Sequence, residues 1–258
     1  MKKNIFFAWF IAAVLFVNGC KKDRLVDDCI SNAIPTDSYA YPILPGTPAW
    51  ANLQTGAERL QACQIPDNIL LGVSTEGLIQ SWLDMPINNE ILMTNSLQKG
   101  IVYFIANFSG LKELVKRNDV ADKLVKKYYS MNPACVTTYQ TDIEKGKFIY
   151  SFSYIELPIA QDTILNRMTI EQKKVLIKKA MDKYYSRKEY TNYYDVVSTD
   201  LSLFICAKAM KNSKYQPFLS QVNNNLQWFV ENAQFYIPLG DYTTEKNIII
   251  SQALNFIK

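Results

Sequence analysis

The sequence predicts an all-α protein, either an irregular helical bundle or stacked helical hairpins, with about ten helices. Three observations carry that prediction. Chain-breakers are scarce: 9 Gly and 10 Pro in 258 residues, about 7% where an average chain has ~12%. Apolar residues recur at three- and four-residue spacing through much of the chain, the period of one helix face. Helix-start signals, Thr or Ser before an acid or a proline, stand at the head of these stretches.

The first nineteen residues read as a lipoprotein export signal. Lys2 and Lys3 precede an apolar run from Ile5 to Val17, and Asn18-Gly19 leads into Cys20. A basic start, a short apolar core and a small residue before the cut make a secretory signal, and the run falls short of the roughly 20 residues of a membrane span. Cys20 directly after Gly19 resembles the lipobox of bacterial lipoproteins, in which that cysteine becomes the acylated N-terminus and anchors the protein to the membrane. Residues 20–45 then read as the lipidated N-terminus and a polar tether, and 46–258 as the helical domain.

Within that domain Thr47-Pro48 places a cap and an N1 proline before Trp50 and Leu53. Thr55-Gly-Ala-Glu58 and Thr169-Ile-Glu-Gln172 fit the capping box. Pro66 and Pro86 each stand where a helix can begin. Leu111, Leu114 and Val115, then Val120, Ala121, Leu124, Val125 and Tyr128, and later Leu176, Ile177, Ala180, Met181 and Tyr184 follow helical periods. In the last two stretches lysines fill the other face. Segments 101–108, 148–164, 201–210 and 226–236 are apolar enough for central helices, and Trp50, Trp82 and Trp228 fit packing anchors. Residues 132–146 are polar and unperiodic, and read as a hinge between two helical halves. The competing fold is a mixed α+β domain with a hairpin over 136–155, where Val136, Thr137, Tyr139, Phe148 and Tyr150 are β-prone.

Composition removes whole classes of chemistry. The chain contains no histidine, so Ser-His-Asp and Cys-His catalysis, HExxH zinc sites and C₂H₂ fingers lack their imidazole. It contains no GxGxxG, P-loop, CxxC or EF-hand motif; no cofactor and no metal site is expected. Removing Lys2 and Lys3 with the signal leaves 26 basic against 24 acidic residues, a balance that gives no footprint for nucleic acid. With Cys20 acylated, four cysteines remain: Cys29, Cys63, Cys135 and Cys206. An exported chain can pair them in three ways. Cys206 stands in an apolar helical run and reads as a buried thiol, so a bridge is expected to involve Cys29 or Cys135.

The stretch Tyr41-Pro-Ile-Leu-Pro-Gly-Thr-Pro-Ala-Trp50, with Ala62-Cys-Gln-Ile-Pro66, Ser74-Thr-Glu-Gly-Leu78, Lys145-Gly-Lys-Phe148 and Tyr154-Ile-Glu-Leu157, resembles a family of uncharacterised predicted lipoproteins from Bacteroidetes. The likeness covers roughly 41–210. It implies lineage and a place at the cell envelope, and it carries no activity with it.

Two features invite chemistry. Glu156 sits in an otherwise apolar stretch, Phe152 to Ile159, where an ionised carboxylate needs a partner or a raised pKa. As a catalytic residue it would be a general acid or half of a glycosidase pair; as a structural one it would pair with Lys or Arg. Between Lys183 and Tyr194, five tyrosines interleave with three basic residues. Arg187, Tyr190, Tyr193 and Tyr194 would make an exposed binding patch suited to a glycan or an envelope protein. The sequence therefore reads as an exported binding or scaffolding protein of the cell envelope, lipid-anchored to the outer membrane through Cys20. The alternative is a histidine-independent, acid-dependent hydrolase of glycan or envelope polymer, with Glu156 as its acid.

Overall fold

The computed structural model describes Cys29, residues 34–235 and residues 242–258. The signal segment 1–19 and Cys20 lie outside the described residues. Among those described there is no strand, and sixteen helical elements build an all-α fold. That is more than the about ten expected; ten are α-helices of six or more residues. The other six, four single-turn helices and two 3₁₀ turns, are too short to show a period.

Most of the expected starts are used. Thr47 caps α1 (Pro48–Ala51) by accepting from the Trp50 N–H, and Thr55 and Glu58 form the reciprocal box of α2 (Gly56–Ala62). Pro66 heads α3 (Asp67–Leu70), and the Ser74 hydroxyl caps α4 (Thr75–Leu83). After Pro86 comes a 3₁₀ turn (Asn88–Met93), followed by α5 (Leu97–Asn107), α6 (Ser109–Leu114) and α7 (Val120–Ser130). A second 3₁₀ turn (Pro133–Thr138) leads to α8 (Asp142–Ile159) and α9 (Asp162–Leu165). The Thr169–Gln172 box opens α10 (Ile170–Glu189), and Asp195 caps α11 (Val196–Asn212). The chain continues through α12 (Gln216–Leu219), α13 (Asn224–Asn232) and α14 (Thr243–Phe256).

α11 is the central post. It packs on α8, α10 and α14, and nearly every side chain from Ser198 to Met210 is buried, the signature of a helix enclosed on all sides. α8 is enclosed over its second half, Phe152 to Ile159. Pro158 lies in its last turn and has no N–H to give the Tyr154 carbonyl four residues back. Trp82, on α4, fills that vacancy: its indole N–H donates to the Tyr154 oxygen at 2.7 Å. The packing anchor is thus also a backbone repair, worth about 1–3 kcal/mol as a buried carbonyl kept satisfied.

Three sequence expectations change. The domain starts earlier than residue 46: Asp37 accepts from the Ser74 N–H at 2.7 Å, the Tyr39 N–H donates to the Ser81 hydroxyl, and the Tyr41 hydroxyl donates to the Ser81 carbonyl. The Ser74 N–H foremost, and then the Ser74 hydroxyl, hold the Asp37 carboxyl below its ordinary pKa. Gly77 makes the approach possible, because a Cβ there would stand 2.6 Å from Asp37 Oδ1. The end of the segment expected to be a tether is therefore a strap bonded to α4. The segment expected as a hinge, 132–146, contains the first turn of α8, opened by a Thr141–Glu144 capping box. Pro133, Ala134, Cys135 and Val136 of its 3₁₀ turn are buried. The 136–155 hairpin is absent for the same reason: most of those residues are helical.

Candidate functional site

Four helices converge on Glu156. Arg187, from α10, grips its carboxylate with both terminal nitrogens, Nη1 to Oε2 at 3.1 Å and Nη2 to Oε1 at 2.8 Å. The Tyr128 hydroxyl, from α7, and the Ser202 hydroxyl, from α11, donate to Oε1 at 2.8 and 2.9 Å. Nη1 also donates to the Ser198 carbonyl. Both charged side chains are 0% exposed. Phe152 and Tyr194 lie against the guanidinium, ring centres 4.4 and 5.7 Å from Cζ. Burial, with the Glu156 charge adding to it, pushes the Tyr128 hydroxyl well above its ordinary range, so it stays a donor.

This geometry overturns Glu156 as a catalytic acid. A general acid must come within hydrogen-bond reach of substrate, and this carboxylate is sealed from solvent with both oxygens engaged by protein donors. Asp162, the nearest acid in sequence, lies at the head of the separate helix α9, and its exposed carboxylate contacts Lys208 and Asn212. No two-carboxylate cleft of the kind glycoside hydrolysis uses is formed between them.

The aromatic patch is overturned as well. Arg187 is fully buried in the ion pair, and Tyr194 is buried with its hydroxyl on the Pro133 carbonyl at 2.9 Å. Tyr190 packs partly against the core. Only Tyr193, at 37%, stays exposed. Phe152 and Tyr194 here enclose the buried Arg187 charge, and the contiguous patch of Arg187, Tyr190, Tyr193 and Tyr194 is not formed at the surface.

Lys183 lies one turn before Arg187 on α10. Its ammonium donates to the Met131 carbonyl and sits 4.8 Å from the centre of the Tyr128 ring. Burial, with the Arg187 charge adding to it, lowers its pKa from 10.5 to about 8. The unfolded chain keeps this proton to a higher pH than the folded one. Between those values the unfolded state binds more protons, and stability rises with pH. Lys183→Met removes the effect. The stability gap, wild type minus variant, is expected to grow by about 3 kcal/mol between pH 8 and 10.5 in urea titrations. A gap that stays flat across that window would refute the depressed lysine. Taking the difference cancels the buried tyrosines, which titrate alike in both proteins.

Sequence reasoning missed a cleft between the start of α11, the end of α13 and the start of α14. It encloses about 280 Å³. Ala233, which closes α13 in a left-handed conformation (φ 60°), turns the chain so that Phe235 stacks back on Phe229, centroids 4.1 Å apart. Asp200 and Lys246 meet in the cleft, 2.8 Å apart. The signal available in the sequence was Asp200 itself, an acid one position before the apolar run 201–207. Among the described residues no three Cys, Asp or Glu side chains converge as a metal site would need. No helix of the described residues is long and apolar enough to cross a membrane. In comparisons with known proteins, no family model, curated protein or solved structure matches this chain.

Proposed function

We propose that the chain is an exported lipoprotein, acylated at Cys20, that serves at the bacterial cell envelope as a binding or scaffolding protein. The observation that carries this reading is the Cys29–Cys135 disulfide. Such a bridge persists in oxidising compartments outside the cytosol, which is where the Lys2–Gly19 leader would deliver the chain. Cys63 and Cys206 are buried and unpaired.

The bridge also sets how the domain would sit. Cys20 to Cys29 is nine residues, and at 3.3–3.6 Å each they reach at most about 32 Å. A leash that short, tied at the Pro133–Thr138 turn, would keep that end of the domain near the lipid surface. Mass spectrometry of the protein extracted from membranes tests the reading. The expected chain begins at Cys20 and carries a diacylglyceryl thioether, and Cys20→Ala is expected to stay unprocessed. An unmodified Cys20, or cleavage elsewhere, defeats the proposal.

A further inference from the structure

We propose that the cleft between α11, α13 and α14 binds a free α-amino acid with an apolar side chain, its ammonium on Asp200 and its carboxylate on Lys246. The proposal rests on the binding reading above, and adds to it the ligand.

The walls are Val196, Val197, Ala233, Phe235 and Tyr242, the charged groups are Asp200 and Lys246, and Gln234 adds an amide that donates to the Asn95 carbonyl. Apolar walls with a few placed charges are the usual make-up of a small-molecule site, and about 280 Å³ lies just under the ~300–1,000 Å³ such sites span. That is room for one small metabolite and too little for an oligosaccharide. The Phe235 ring is fixed between Phe229 and Tyr242, centroids 4.1 and 4.5 Å away, so this wall is formed before any ligand arrives.

The charges choose the ligand. Asp200 is more than nine-tenths buried, and Oδ2 takes the Lys246 ammonium. Oδ1 accepts from no donor among the described residues. Burial raises the Asp200 carboxyl while Lys246 pulls it back, and Oδ1 keeps the capacity to accept a further donor. Lys246 has three N–H donors; one faces Asp200 Oδ2, and the ammonium is held 5.6 Å from the Phe235 ring centre. A ligand with a lone positive charge would be repelled by Lys246, and one with a lone negative charge by Asp200. An α-amino acid carries both charges a short distance apart and meets each with its opposite, leaving its side chain for the apolar walls.

Calorimetric titration of the full-length protein tests this with L-phenylalanine and L-leucine, then with phenethylamine and 3-phenylpropanoate, which each lack one charge. Both amino acids are expected to bind one to one, and each analogue to bind at least about tenfold more weakly, because it meets only one member of the ion pair with an opposite charge. Asp200→Asn is expected to weaken phenylalanine by a similar factor. Val196→Trp, at a lip position 66% exposed, is expected to abolish binding with unchanged melting. The proposal is overturned if neither amino acid gives saturable binding at millimolar concentration, if the analogues bind as well, or if Val196→Trp binds like wild type. The anchor is read separately: acylated Cys20 without amino-acid binding removes the ligand alone, and binding without acylation removes the anchor alone.

Discussion

Glu156→Ala is expected to destabilise the fold by about 3–5 kcal/mol, because it leaves the Arg187 guanidinium charged, buried and without its anion. For a domain of this size that is roughly 10 °C in melting temperature. Arg187→Met should cost about as much for the mirror reason: the Glu156 carboxylate keeps Tyr128 and Ser202 as donors but loses its counter-charge. Glu156→Gln should fall short of the alanine change, since the amide oxygen can still accept from those two hydroxyls. The double variant Glu156→Leu with Arg187→Met is the more informative construction. It removes both charges, and Tyr128 and Ser202 already lie 3.4 Å apart and can bond each other. The double should therefore be less damaged than the sum of the singles by about 2–3 kcal/mol. Urea unfolding of the wild type, Glu156→Leu, Arg187→Met and the double variant supplies the cycle. Strict additivity, or single losses below about 1 kcal/mol, would mean that the pair is solvated and contributes as little as a surface ion pair.

The sequence marked Glu156 as the odd residue, because a lone acid in an apolar stretch must be answered by something. It did not mark Arg187 as the answer. That signal was present: Leu176, Ala180 and Tyr184 step along one face of α10, and the next step of three lands on Arg187. A charge in register with a buried stripe calls for a buried partner. The surrounding tyrosines and Lys188 instead gave the segment the look of a surface. Thr141-x-x-Glu144 was equally legible as a capping box, yet the polar residues before it concealed it inside an apparent hinge. Other features could not be read locally. The Trp82 bond to the carbonyl that Pro158 leaves free joins positions 72 residues apart, and the cleft depends on Ala233 and Phe235 returning to α11. Periodicity reports which face of a helix is buried; it carries no information about which distant group meets it.

Breaking the Cys29–Cys135 bridge is expected to lower stability by about 2–5 kcal/mol, the range set by a native disulfide and by the long loop it closes. The separation is 106 residues, and a loop of that length removes a large share of the unfolded chain's freedom while adding little to the folded state. The folded side supports the same division. The 3₁₀ turn that holds Cys135 is fixed independently by the Tyr194 hydroxyl on Pro133 and by Lys183 on the Met131 carbonyl next to it. The strap at Asp37 holds the chain eight residues beyond Cys29 without help from the sulfur. Reduction should therefore leave the spectrum of the folded protein almost unchanged while moving the urea midpoint down. Cys29→Ser is the cleaner variant, since Cys135 is buried and Cys29 is not fully so. Cys135→Ser should add only the cost of a hydroxyl placed in an apolar site, and the double variant should cost no more than Cys135→Ser alone. That lack of additivity separates a shared covalent link from two independent contacts. Thiol titration of the acylated protein, unfolded without reductant, should find two free groups, Cys63 and Cys206. Four would show that the bridge does not form, and an unchanged urea midpoint after reduction would show that the long loop was already restrained by other contacts.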